Sequence, residues 1–140
     1  MGDAYSGLYA AGVITMLIKN AEKLNLDGAS YFALVNEGIV RVYHDHVTLS
    51  PDGEILKRMV EHVGGELELC EDPSYVKTVH DGYSFISVLN KSATEEKQLT
   101  DIEGEYEIFT PNGENMNISK GNGSLSVIPP ASVVFIKKYN

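Results

Sequence analysis

The apolar positions change their period partway along the chain. From about Ser6 to about Leu24 they recur at helical spacing, and Leu8–Ile18 is apolar almost all round, which predicts a helix covered on more than one face. Asp3 or Ser6 can cap its start, and Lys19 and Lys23 lie towards its end, where the helix dipole favours cations. Asp27-Gly28 ends this unit. Tyr31–Val35 is a nearly continuous apolar run, as in a strand buried on both faces; Asn36-Glu37-Gly38 breaks it, and Ile39–Tyr43 resumes it. Ser50-Pro51 opens a second helix with a capping hydroxyl and a proline at the first helical position. Ile55, Leu56, Met59, Val60 and Val63 make its apolar stripe, Glu54, Lys57, Arg58 and Glu61 face away, and Gly64-Gly65 supplies the stop.

From Glu66 onward the period is two. Leu67 and Leu69 alternate with glutamates, and Tyr75–His80 and Tyr83–Asn90 are joined by Asp81-Gly82, a tight-hairpin signal. Further short strands are expected at Lys97–Ile102, Glu105–Phe109, Asn115–Ser119, Ser124–Ile128 and Ser132–Lys137. Pro111-Asn112-Gly113 and Lys120-Gly121-Asn122-Gly123 read as turns. Val133–Ile136 is apolar on both faces, as in a central strand. Roughly seven or eight short strands at this spacing indicate an antiparallel sandwich, with Leu67, Leu69, Phe85, Val88, Ile108, Val127 and Phe135 in or near its core. The expected fold is therefore mainly β with α: a helix-strand-helix segment over residues 1–65, then an antiparallel β-sandwich over residues 66–140.

Composition narrows the partners. The chain has 140 residues, 43% of them hydrophobic, enough for one domain with a real core. Eleven basic residues against twenty acidic ones give a net charge of −9, which argues against nucleic acid and against an anionic membrane surface. No basic segment precedes the first apolar run, and that run is shorter than the ~20 residues a membrane span needs. Neither a signal peptide nor a membrane span is expected, and a cytoplasmic location is favoured. The single cysteine, Cys70, permits no internal disulfide. Because the first helix is apolar around most of its circumference, it can fold back on the sandwich or pair chains, and the expectation is a homo-oligomer, a dimer or larger, in which Leu8, Tyr9, Val13, Leu17 and Ile18 are buried.

Signals for chemistry are sparse. His44 and His46 are two apart and in a strand would point the same way, so both imidazoles could reach one metal ion; the sequence assigns no third ligand, and no metal or other cofactor is expected. Cys70 lies among glutamates, which would raise its pKa and make it a poor nucleophile. No serine sits in a nucleophile-elbow pattern, and no glycine-rich stretch ends like a phosphate loop. The eight tyrosines could stack on sugars, but there is no tryptophan, and cross-strand packing is the ordinary role for Tyr75, Tyr83 and Tyr106.

Five segments, taken in order, resemble the C-terminal part of clan-A glycoside hydrolases, most closely the α-L-arabinofuranosidases of family 51. Gly7–Leu24 is similar to the seventh helix of their (β/α)8 barrel and Asp27–Gly38 to the eighth strand. Leu49–Glu66 resembles the closing helix before the sandwich. Tyr83–Leu99 resembles a sandwich strand with an Asn-x-Ser continuation, and Ser124–Lys138 the last strand with its Pro-Pro start. The resemblance implies retaining glycoside hydrolysis without a metal, carried by two glutamates placed after the fourth and seventh barrel strands. Both would lie upstream of Met1, in a barrel of roughly 250 residues. Asn36-Glu37 looks like the family's Asn-Glu acid/base pair, but its context matches the eighth strand. The expectation is that no catalytic residue is present, with Glu37 the weak candidate, and that Asn36 and Glu37 lie at the substrate rim.

The reading is thus a non-catalytic C-terminal accessory domain of an arabinofuranosidase-like glycosidase acting on plant-type polysaccharide. Its partner is the rest of the parent barrel, and the chain is either a fragment or a remnant gene. One alternative is a carbohydrate-binding module with an aromatic platform. The other is a small self-standing glycosidase using Glu37, with Asp45 or Glu54 as its second carboxylate.

Overall fold

The computed structural model describes residues 4–24, 40–42 and 45–140. The first apolar segment is helix α1, Ala4–Leu24. A short antiparallel pair follows, β1 (Val40–Val42) with β2 (Val47–Leu49). Helix α2 runs Pro51–Met59 and tightens into a 3-10 turn at Val60–His62. Ser50 caps α2 as its sequence predicts: the side-chain Oγ accepts from Gly53 N at 3.1 Å. The remaining strands are β3 (Glu66–Glu68), β4 (Tyr75–His80), β5 (Tyr83–Asn90), β6 (Lys97–Asn112), β7 (Asn115–Ile128) and β8 (Ser132–Tyr139). They form one six-stranded antiparallel sheet in the order β3-β4-β5-β8-β6-β7. The expected fold class is the one found, a mainly antiparallel β fold with two helices. The apolar run Tyr31–Val35 lies outside the described residues.

Both faces of this sheet are covered, which is how a single sheet makes two layers. On one face Phe85, Leu89, Phe109, Val133 and Phe135 pack with Ala11 of α1 and Ile55 and Met59 of α2. On the other, Ile86, Val88, Val134 and Ile136 pack with Leu125 and Ile128 of β7. In sheet order β7 is three strands from β5, so the β6–β7 hairpin must fold across this second face for those side chains to meet. Its ends confirm the crossing. Lys97, at the start of β6, pairs with Asp72 beside β4 at 2.8 Å. Asn90, at the end of β5, donates from Nδ2 to Ile128 O at 3.3 Å and Pro129 O at 3.0 Å. The register of β6 against β7 shifts between Gln98 and Ile102, and a bulge of this kind bends a strand. Strand β8 is central and apolar on both faces, as its sequence indicates.

Helix α1 folds back on the sheet. Leu8, Ile14 and Ile18 pack against the first cluster. Lys19 acts as a clamp: Nζ donates to Cys70 O (3.0 Å), Asp72 O (2.5 Å) and Tyr75 O (2.9 Å). Ser6 Oγ donates to the buried Asp52 Oδ2 at 3.0 Å, joining α1 to α2. Coverage is incomplete, however. Tyr9, expected to be buried, is 77% exposed, and Tyr5 and Met16 are exposed beside it.

Three expectations within the sheet and α2 are corrected. Leu69 is 87% exposed because β3 ends at Glu68 and the chain leaves the sheet before Leu69 can point inward. Val60 and Val63 are exposed because the helix tightens after Met59, and His62 is turned into the core in their place. The two pairs of short strands, Lys97–Ile102 with Glu105–Phe109 and Asn115–Ser119 with Ser124–Ile128, are instead two long strands, β6 and β7. The glycines taken as a turn sit inside β7, where Gly121 permits close approach. A Cβ on Gly121 would lie 2.3 Å from the Tyr106 ring, so the ring covers the space a side chain would fill. Gly104 in β6 has the same role against backbone: a Cβ there would lie 2.6 Å from Lys137 O of β8. Carbonyls of a central strand cannot yield, so Gly104→Ala is expected to cost about 1–3 kcal/mol, read as a lower urea midpoint at unchanged slope. Wild-type stability would show that the β6–β8 approach is loose. Among the described residues, no helix is long and apolar enough to cross a membrane.

Candidate functional site

Those of the residues singled out by the sequence that are described, Asp45, His46, Glu54 and Cys70, do not assemble into a catalytic centre. Asn36, Glu37 and His44 lie outside the described residues. His46 sits between β1 and β2, exposed, with Nδ1 2.5 Å from Asp45 Oδ1, and it borders a shallow cleft against the tip of the β6–β7 hairpin. Among the described residues no group of three or more His, Cys, Asp or Glu could hold a metal ion. Glu54 is bonded to Arg58. Cys70 is exposed.

One constellation has a catalytic look but a structural environment. His62 Nδ1 lies 2.9 Å from Thr78 Oγ1 and Nε2 lies 2.8 Å from Ser87 Oγ, and Thr78 Oγ1 is 2.9 Å from His80 Nε2. A serine beside a histidine would suit nucleophilic catalysis, but Ser87 is fully buried and His62 is 4% exposed, so no substrate can reach either. Burial, with the nearby His80 adding to it, lowers the His62 pKa from 6.5 to about 4, and the ring stays neutral at pH 7. A neutral imidazole donates from one nitrogen and accepts at the other, which matches two hydroxyl partners. The group ties the 3-10 turn to β4 and β5.

The larger opening is a cleft of about 550 Å³ between α2 and the part of the sheet that α2 leaves uncovered. Lys57 and Arg58 line it from α2, and Glu61 from the 3-10 turn that follows. The sheet contributes Glu105 and Glu107 from β6, Lys120 from β7 and Lys137 from β8. Period-two alternation places these on one face: Glu105 is opposite Lys137 and Glu107 opposite Phe135. Phe85 and Phe135 form the apolar floor, and Tyr106 stands at the margin. Arg58 anchors the wall. Its Nε and Nη2 donate to Glu107 at 3.3 and 3.0 Å, Nη1 donates to Glu54, and the guanidinium lies over the Phe109 ring at 5.0 Å. Desolvation lowers its pKa, but the hydrogen bonds and charges of Glu107 and Glu54 outweigh this and raise it above the usual value. Lys120 reaches Glu107 at 4.0 Å. Lys137 Nζ stands over the rings of Tyr83 (4.3 Å) and Tyr139 (5.6 Å). The lining contains no Ser, Thr, Cys or His. What it offers is binding chemistry: cations, carboxylates and aromatic surface.

The sequence pattern gave no sign of this site. Lys57, Arg58 and Glu61 read as the solvated side of a helix, and Lys120 fell in an expected turn. Only the strand order, with β8 between β5 and β6, brings Lys137 and Glu105 under that helix.

No protein-family model matches the sequence, and no curated protein matches it. In fold, the chain is similar to the solved structure of a family 51 α-L-arabinofuranosidase from Bifidobacterium longum, described for its substrate specificity, with a TM-score of 0.73 at 12% identity. The match covers 99% of this chain and 35% of that one, so the chain spans about a third of the enzyme's length. At this identity the likeness is one of fold, and it is the fold that the order of sequence motifs implied.

Proposed function

We propose that this chain is the non-catalytic C-terminal accessory part of a glycoside hydrolase of the α-L-arabinofuranosidase type, acting in polysaccharide degradation. The observation that carries the reading is the match of nearly the whole chain to about a third of a family 51 enzyme. Its supports are the order of the barrel-like and sandwich-like motifs and a mixed helix–sheet core that would join the two regions. Its partner is the remainder of a (β/α)8 barrel, and the exposed strip Tyr5, Tyr9 and Met16 on α1 is the surface that neighbouring barrel helices would cover. In their absence the same strip would pair copies of the chain. Sedimentation at micromolar concentration checks this: a monomer, unchanged by Tyr9→Asp, removes the pairing.

The reading predicts that the purified chain does not hydrolyse aryl arabinofuranosides or xylosides, because retaining hydrolysis needs two carboxyl groups roughly 5 Å apart. The control is Glu37→Gln. Turnover by the wild-type chain that this substitution abolishes would establish a self-standing glycosidase instead.

A further inference from the structure

We infer that the cleft between α2 and the sheet binds an acidic sugar, a glycan unit carrying a carboxylate. The first ground is charge. The chain as a whole has eleven basic residues against twenty acidic ones. The cleft inverts that balance, with four cations (Lys57, Arg58, Lys120, Lys137) to three carboxylates (Glu61, Glu105, Glu107).

The second ground is how those charges are used. Glu107 is occupied by Arg58 and approached by Lys120. Lys77 and Lys97, elsewhere on the sheet, have carboxylate partners. Lys57 and Lys137 form no ion pair among the described residues. Lys137 is held over Tyr83 and Tyr139 instead, so its position is set by aromatic faces while its ammonium stays available. A ligand carboxylate placed at Lys57 and Lys137 supplies the missing anion. Glu61 and Glu105, both exposed, accept from sugar hydroxyls, and the ring lies against Tyr106 at the cleft margin. The volume is in the ordinary range for small-molecule sites.

The sugar in this inference rests on the accessory-domain reading. The anion site does not, and the hydrolysis assay above involves none of these lysines, so either can fail alone. The test is amide chemical-shift mapping of the whole chain, titrated with a trimer of galacturonic acid, with the same trimer after reduction of its carboxyl groups to alcohols, and with inorganic phosphate. The acidic trimer should shift amides at residues 57–61, 105–107 and 135–137, and bind at least about tenfold more tightly than either comparison ligand. Lys57→Gln with Lys137→Gln should weaken it by about tenfold, while Lys138→Gln, on the opposite face of β8, leaves it unchanged. The thermal midpoint of each variant shows that it is folded. Equal binding of the reduced trimer removes the carboxylate, equal binding of phosphate removes the sugar, and shifts elsewhere or no binding at millimolar ligand removes the site.

Discussion

Replacing Phe135 by alanine is expected to destabilise the fold by about 3–5 kcal/mol. Phe135 lies on central strand β8 and is 3% exposed. Its ring is stacked with Phe85 at 6.0 Å and meets the edge of Phe109 at 5.4 Å. These three rings form the layer on which Ile55 and Met59 of α2 rest, in the cluster that α1 also covers. Truncation removes a large apolar volume where strands on both sides fix the backbone, so the space cannot collapse. Urea unfolding of wild type and variant gives the value directly. A loss under about 1 kcal/mol would mean that β8 presents its other face to the helices, with Val134 and Ile136 in place of Val133 and Phe135.

The second large effect is on pH dependence. The folded-state pKa of His62 is about 4, against 6.5 unfolded. The unfolded chain therefore binds a proton more readily, and stability falls as the solution is acidified. The contribution of neutral His62 is fully present above about pH 6.5, declines between pH 6.5 and 4, and levels off below, for a total of about 3 kcal/mol. Two hydroxyl partners cannot offset the charge, since Thr78 and Ser87 are themselves buried and neutral. Asp72 acts in a lower window. Desolvation raises its pKa, but hydrogen bonds from Lys97 and Ser74 and the charge of Lys97 outweigh this and lower it below 3.8. Its contribution is lost only as the pH falls through that lower value. Unfolding measured across pH 4–7 for wild type and His62→Gln separates the two. The decline between pH 6.5 and 4 should vanish in the variant, and an unchanged decline would place the titrating group elsewhere.

Local signals proved reliable where a residue's role depends on its near neighbours. Ser50-Pro51 caps α2, Asp81-Gly82 turns the β4–β5 hairpin with Gly82 at φ 84, and Val133–Ile136 is the central strand. Signals failed where the role depends on a partner distant in sequence. Gly121 looks like a turn residue until Tyr106 is seen to need its missing side chain. Lys19 looks like a helix-end cation until the loop 70–75 wraps around it. His62 looks like a polar residue beside a helix stop until a change in helical pitch turns it inward between Thr78 and Ser87. The candidate cleft is the extreme case. Its lysines and glutamates come from α2, the 3-10 turn after it, β6, β7 and β8, and meet only because β8 inserts between β5 and β6, an arrangement that no short-range periodicity encodes. Of the segments chosen for chemistry, Asn36-Glu37 is a dipeptide match that rests on resemblance, and His44 with His46 is a spacing without a third ligand.

The central claim is that this domain works as the accessory end of a glycosidase barrel, and the DNA immediately upstream of the Met1 codon tests it most directly. The account predicts a reading frame there for the missing (β/α)8 units, fused to this chain or adjacent to it, with one glutamate after the fourth strand and another after the seventh. An upstream sequence encoding no barrel, or a barrel without that pair of carboxylates, would contradict it.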